Sequence, residues 1–291
     1  MKKLIGMLFF ATTAMATSSI EHRINEKGSL FVCMNTTTQS GKTIILKNAT
    51  ESDAEYLFKW YTNQEANAML RDGKPLSKDD AQARAKDIIE KWDLGNPFSS
   101  FIIFDEKDQR IGVAIIGPSG FNGTSELLGA IMPEDKKEDL FKQGIMKAAM
   151  SVIAEKYIPL LLPNSNNETA IPGAKLALQK PLQRINAGGD LHNLPAIRLF
   201  IESDMQAAET KGKKVELSKE FAVLFDKQPT NGRFNKLYEK FCKTIEALTI
   251  ESAEEQAIFI AGKHVATIIM HPKYNKIKFK WTKSFVAQES K

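Results

Sequence analysis

The sequence predicts a mixed α/β fold: a central mixed sheet flanked by helices, then a C-terminal helix and a small antiparallel β-meander. Three observations predict it. Short β-rich runs alternate with segments of helical period, in the order β, α, α, β, β, β, α, β, α between Thr43 and Glu202. One long amphipathic stretch and three further β-rich runs follow. The composition is that of an ordinary globular chain, with 291 residues, 43% hydrophobic and 26% charged. That balance excludes collagen-like, coiled-coil and disordered classes.

The elements follow in order. Met1–Ala16 reads MKKLIGMLFFATTAMA. Its basic start, apolar middle and small-x-small end read as a signal peptide at 1–16, too short for a spanning helix. The alternative is an over-extended reading frame, because Met34 lies just before the first domain-like sequence. Residues 17–42 are polar and are expected to form a linker. Thr43–Leu46 is a strand. The Thr50/Ser52/Asp53 cluster then starts a helix with Leu57, Phe58 and Tyr61 at helical spacing. Ser77 caps a second helix whose apolar positions are Ala81, Ala85, Ile88, Ile89 and Trp92. Ser100–Phe104 and Gly112–Ile116 form a hairpin. Glu126–Met132 is a third strand, and Gly129 inside it predicts a bulge or a close backbone approach. Gly144–Tyr157 is Ala-rich and helical. Residues 159–180 are rich in Pro, Asn and Gly and read as an irregular insertion. Leu182–Ala187 is a strand, and Asn193–Glu202 is a helix with Pro195 in its first turn.

The charge divides unevenly along this chain. The net charge is +5, but from Gln206 onward 16 Lys and Arg face 10 Asp and Glu. The positive excess thus lies in the last 86 residues. Phe234–Leu248 is an amphipathic helix, and Ala257–Ile260, Val265–Met270 and Ile277–Trp281 make the meander. In its last strand Lys276, Lys278, Lys280 and Lys283 alternate with Ile277, Phe279 and Trp281. The pattern reads as an edge strand guarded by lysines, or as a basic face for an acidic partner. Cys33 and Cys242 cannot build a disulfide framework or a zinc site. His22, His192, His264 and His271 lack zinc spacing, so no metal is expected. Nothing in the sequence predicts sequence-specific nucleic-acid binding or a transmembrane segment.

Four strings together resemble the GNAT superfamily of N-acetyltransferases, and most nearly its ribosomal-protein-alanine N-acetyltransferase branch. They are Thr43–Leu70, with Asp53, Trp60 and Asn63; Phe101–Gly117; Gly144–Ala149 after a strand ending Leu-Gly-Ala-Ile; and Asn193–Met205. The resemblance covers about residues 43–205 and places an acetyltransferase-like domain at 43–217, with a basic extension at 218–291. It implies acetyl-CoA as co-substrate and an amine acceptor, either a protein N-terminus, a lysine or a small amine.

The resemblance also implies site residues. Gln143, Gly144, Ile145, Met146 and Lys147 would open the pyrophosphate cradle at a helix N-terminus. Lys142 or Lys147 would add charge. Gly129, Ala130 and Ile131 would grip the pantetheine arm through backbone groups. Glu126 is the candidate general base, or a solvated strand-end carboxylate. Asn193 would line the cofactor side, or simply cap its helix. Trp60 and Asn63 would meet the acceptor, although a Trp on an amphipathic helix also suits a core. Where the family's cradle carries Gln or Arg and then Gly or Ala, this chain has Phe141 and Met146. These departures leave a second reading, a catalytically weakened binding protein, and the N-terminus adds a third, a secreted bacterial effector. A need for acetyl-CoA favours action in a cytoplasm, whereas an export signal favours a secreted or periplasmic location.

Overall fold

The structure, a computed structural model, describes residues 18–67, 73–118, 124–131, 143–162, 170–171, 182–203, 205–226, 233–250, 254–271 and 276–284. The expected signal peptide, most of the 159–180 insertion, Phe141 and Lys142 lie outside these residues. Among the described residues no helix is long and apolar enough to cross a membrane.

Twelve strands form one sheet among the described residues. They are β1 (Ser19–Ile24), β2 (Leu30–Thr37), β3 (Thr43–Asn48), β4 (Ser100–Phe104), β5 (Arg110–Pro118), β6 (Thr124–Ile131), β7 (Arg184–Asp190), β8 (Gln206–Ala207), β9 (Lys213–Leu217), β10 (Gln256–Ile260), β11 (Lys263–His271) and β12 (Lys276–Ser284). Their order is β1-β2-β3-β4-β5-β6-β7-β12-β11-β10-β9, with β8 beside β12. The main helices are α1 (Ala54–Thr62), α2 (Gln64–Asn67), α3 (Lys78–Asp93), α4 (Ile145–Val152), α5 (Ile158–Leu161), α6 (Leu194–Glu202) and α7 (Arg233–Ile250).

Local chemistry accounts for these elements. Thr50 N–H donates to Asp53 Oδ2 at 2.8 Å, and Asp53 in turn accepts from Arg110 Nε at 2.7 Å. A reciprocal cap therefore starts the 3₁₀ turn Glu51–Asp53 that leads into α1, and Arg110 pins that turn to β5. Ser77 Oγ accepts from Asp80 N–H at 3.2 Å and starts α3. The five apolar positions expected on α3 are all buried. Between α4 and α5 the helix widens to a π turn over Ile153–Tyr157. Pro159 has no N–H to return to the Glu155 carbonyl, which breaks the α ladder at that point.

Two expectations are corrected. The 17–42 linker is a β-hairpin over most of its length. Leu30, Val32, Met34 and Thr36 are buried while their neighbours are half-buried. That period of two is the pattern of a strand with one face on a core. The second correction concerns the lysine-bearing last strand. β12 is not an edge: it pairs with β7 over seven residues and with β11 over five. Ile277, Phe279 and Trp281 are buried as the alternation requires, and Lys280 is ion-paired to Glu255. The C-terminal meander thus continues the central sheet directly from β7.

Candidate functional site

The most unusual place in the sheet is the junction of β6 and β7. These strands run parallel and pair only at Thr124↔Arg184, Ser125↔Ile185 and Glu126↔Asn186. Both strands continue beyond that point, β6 to Ile131 and β7 to Asp190. Each remains paired on its outer side. Leu127–Ile131 pair with β5, and Ala187–Asp190 pair with β12. In an antiparallel ladder alternate residues turn both N–H and C=O away from the partner. Alternate residues of both strands therefore turn their backbone groups into the gap, and no described strand fills it.

Glu126 stands at the fork, on the last register pair before the strands part, and its side chain is exposed. Gly129 lies three residues deeper on the β6 wall. A Cβ built there would meet Met146 Cε at 2.2 Å and the Val113 carbonyl oxygen at 3.1 Å. The expected close approach is thus real, and α4 makes it. Continuing the fork register puts Gly189 at the matching place on the β7 wall, where a Cβ would meet Ala196 and Phe200 of α6 at 3.5 and 3.6 Å. Each wall of the gap is packed by its own helix on the same face. Ala130 and Ile131 continue the β6 wall opposite Val113 and Gly112.

Helix α4 begins near this wall. Gly144 is its N-cap, with φ 72° and ψ 24° in the left-handed region. It offers no side-chain cap, and a Cβ built there would meet nothing within 4 Å among the described residues. Ala148 is the first residue of α4 whose N–H bonds back to Gly144 O, at 2.9 Å. The N–H groups of Ile145, Met146 and Lys147 are the open ones of a helix start. Gln143 Oε1 is buried without a partner among the described residues. The Ile145 side chain is in the core, so only its backbone can serve a ligand. Lys147 Nζ is held by Glu202 Oε2 at 2.7 Å, which ties α4 to α6 rather than presenting the ammonium to an anion.

The remaining sequence-predicted residues are elsewhere. Asn193 caps α6, accepting Ala196 N–H on Oδ1 at 3.2 Å. Asn63 caps α2 in the same way, accepting Ala66 N–H at 2.8 Å. Trp60 is 1% exposed, stands edge-on to Tyr61 at 4.8 Å and belongs to the core. Its side chain is closed to an acceptor. Tyr157 is buried and donates to the Pro97 carbonyl at 2.7 Å. Burial holds its phenol well above the usual range, and with its proton given to Pro97 in the core it faces no reacting atom.

Sequence reading missed one group beside the site. At the end of β7, Tyr238 OH and Cys242 Sγ of α7 both donate to the Leu191 carbonyl. Burial pushes the Tyr238 phenol up, and it pushes the Cys242 thiol up to about 11. Their spacing of four was legible as one helical face, but nothing in the sequence says what that face meets. Among the described residues no group of three His, Cys, Asp or Glu is placed to hold a metal.

No family model matches the chain, and no curated protein does. Solved structures similar to it include a GNAT-family acetyltransferase from Bacillus anthracis, 8% identical, covering 85% of this chain and 97% of that one, with a TM-score of 0.43. An acetyl transferase from Salmonella typhimurium, described as modifying the N-terminal serine of 50S ribosomal subunit protein L7/L12, is 11% identical. It covers 86% of this chain and 99% of its own, with a TM-score of 0.42. Spermidine N-acetyltransferase from Vibrio cholerae, in complex with CoA and spermine, is 12% identical over 83% of this chain and 95% of its own, with a TM-score of 0.42.

Proposed function

We propose that this protein is an acetyl-CoA-dependent N-acyltransferase of the GNAT type, acting on an amine. The parting of β6 and β7 after Glu126↔Asn186 carries the reading. A sheet that keeps alternate backbone groups of two facing strands unpaired has room for an extended, amide-bearing arm to lie as a partial strand. The residues present fit such a ligand. Gly144 leaves the helix start without a side-chain cap, and three backbone N–H groups with a favourable dipole end suit a pyrophosphate. Ile145, Met146 and Lys147 would contribute backbone rather than side chain.

When bound, acetyl-CoA supplies the thioester whose acyl group is transferred. Backbone N–H groups of the β6 wall past the fork are donors for the carbonyl oxygen as negative charge develops on it. In this reading Glu126, exposed at the fork, takes the proton that an acceptor ammonium must lose before its lone pair can attack. Asn193 holds the start of α6 beside the β7 wall. The Lys147–Glu202 pair favours one further reading, a protein that binds acyl-CoA weakly without turnover, since it removes a cation from the helix start.

Thermal unfolding with acetyl-CoA tests the proposal. A saturable rise in Tm supports it, because ligand that binds only the folded state stabilises that state. No rise at millimolar acetyl-CoA refutes it. Binding without acetyl transfer to any peptide or polyamine amine would select the binding-protein reading.

A further inference from the structure

Four residues of α7 recur at intervals of four: Phe234, Tyr238, Cys242 and Glu246. They make one stripe along the helix; Tyr238, Cys242 and Glu246 touch the β7–α6 corner, and Phe234 touches α6 itself. The Arg198 guanidinium lies over the Phe234 ring at 4.2 Å. Tyr238 OH and Cys242 Sγ both donate to Leu191 O, the thiol at 3.7 Å. His192 Nε2 lies 2.8 Å from Glu246 Oε1. The corner they meet is short and continuous. Leu191 N–H still bonds to Ile277 O of the sheet at 2.9 Å, His192 N–H bonds to Asp190 Oδ1 at 3.0 Å, and Asn193 caps α6. The Leu191 carbonyl is where the β7 ladder ends and α7 takes over.

From this juxtaposition we infer that α7 is a brace that sets the position of the β7 wall of the gap, with Tyr238 and Cys242 as positioning residues for acyl-CoA binding. The inference rests on the acyltransferase reading. The physical reason is that, among the described residues, no strand pairs with Ala187–Gly189 on the gap side, so the position of this wall depends on β12, on α6 over Gly189 and on what holds its end. β12 fixes it laterally, and α7 fixes its end. The buried Leu191 carbonyl has two donors, Tyr238 and Cys242, 7% and 4% exposed. Removing both leaves it unsatisfied, which the corner relieves by moving. A wall displaced by about 1 Å is enough to lower function far from the altered residue.

The test uses the full chain with Tyr238→Phe, Cys242→Ala and the double variant. Lys243→Ala, on the exposed side of α7, is the control. Acetyl-CoA affinity is measured by calorimetry well below Tm, where every variant is folded. The double variant should weaken the acetyl-CoA Kd about tenfold and each single variant less. KM for acetyl-CoA should rise with it, while KM for the amine stays unchanged. Hydrogen exchange at the amides of residues 191–197 should quicken in the double variant, while β4 amides do not change. Faster exchange with an unchanged Kd overturns the proposal and leaves a brace of purely structural effect. Unchanged exchange overturns the brace itself. A wild-type chain that binds no acetyl-CoA refutes the acyltransferase reading and the positioning role with it, while the exchange rates still decide whether α7 holds the corner.

Discussion

Replacing Gly144 separates backbone geometry from ligand charge. The residue sits at φ 72°, and a Cβ there meets nothing within 4 Å. Gly144→Ala therefore costs only the left-handed backbone, about 1–2 kcal/mol. For a chain of this size that lowers the unliganded Tm by about 2–5 °C. Because the added methyl meets no described atom within 4 Å and carries no charge, the rise in Tm with acetyl-CoA should persist. Ligand at about 100 times Kd stabilises by about 2.7 kcal/mol, or about 5 °C here. Gly144→Asp behaves oppositely. Asp tolerates the left-handed region and is a good N-cap, so the unliganded protein loses less stability than with Ala. A carboxylate about 4 Å from a phosphate repels it by about 4 kcal/mol at an effective dielectric of about 20. Screening by solvent and salt reduces this, but a loss of affinity of about a hundredfold remains. At the same ligand concentration the rise then falls below about 1 °C. Differential scanning calorimetry of the three proteins, each with and without acetyl-CoA, reads every term. If Gly144→Asp keeps the full rise, the cradle is not at the start of α4.

Further outcomes follow from other residues. Glu126→Gln should leave the acetyl-CoA-induced rise in Tm intact and lower kcat by about 10²–10⁴, as expected for loss of a general base; an unchanged kcat removes Glu126 from the reaction. Tyr157→Phe leaves the buried Pro97 carbonyl without the donor it has at 2.7 Å, so it should destabilise by about 1–3 kcal/mol and leave the acetyl-CoA Kd unchanged; calorimetry and binding together check this. The Cys242 thiol is raised from 9.0 to about 11 in the folded state by burial. Its neutral form is the one the fold favours, so its contribution to stability is complete below about pH 9 and is lost as pH rises through about 11. Alkylation of the native protein at pH 8 should spare Cys242 and label it only after denaturation, with peptide mass mapping as the readout.

The sequence shows most of the fold because most of it is locally encoded. Period and caps locate α3 from Ser77 to Trp92 and α6 from Asn193. They also locate β4, β5 and the three C-terminal strands to within a few residues. The hairpin over 19–37 is hidden because the outer row of β2 carries Phe31 and Cys33 while its buried row ends in the polar Thr36, which blurs the apolar–polar alternation. The neighbours of β12 are hidden for a different reason. Lysines alternating with aromatics describe a strand with one wet face equally well at an edge or in the interior. Only pairing decides, and pairing is set by residues nearly a hundred positions away, as at Thr282 and Asn186. For the site, Glu126, Gly129 and Gly144 are legible as types and spacings. The Lys147–Glu202 pair and the caps at Asn63 and Asn193 are not, because each depends on which neighbour the fold supplies.

The gap between β6 and β7 needs a cause as well as an occupant. Unpaired backbone groups are costly when buried, and facing strands ordinarily remove that cost by pairing. Here each wall is committed elsewhere. β6 is laddered to β5 and pressed by Met146 of α4 over Gly129; β7 is laddered to β12 and pressed by Ala196 and Phe200 of α6 over Gly189. The two helices are joined by Lys147 and Glu202. That ion pair links the helix over one wall to the helix over the other. The β7 side of this arrangement is built by the C-terminal, basic third of the chain, through β12 and α7. The positive charge that separates this third in the sequence does not separate it in space. Lys278, Lys280 and Lys283 are half-buried along a strand whose ladder to β7 backs one wall of the gap.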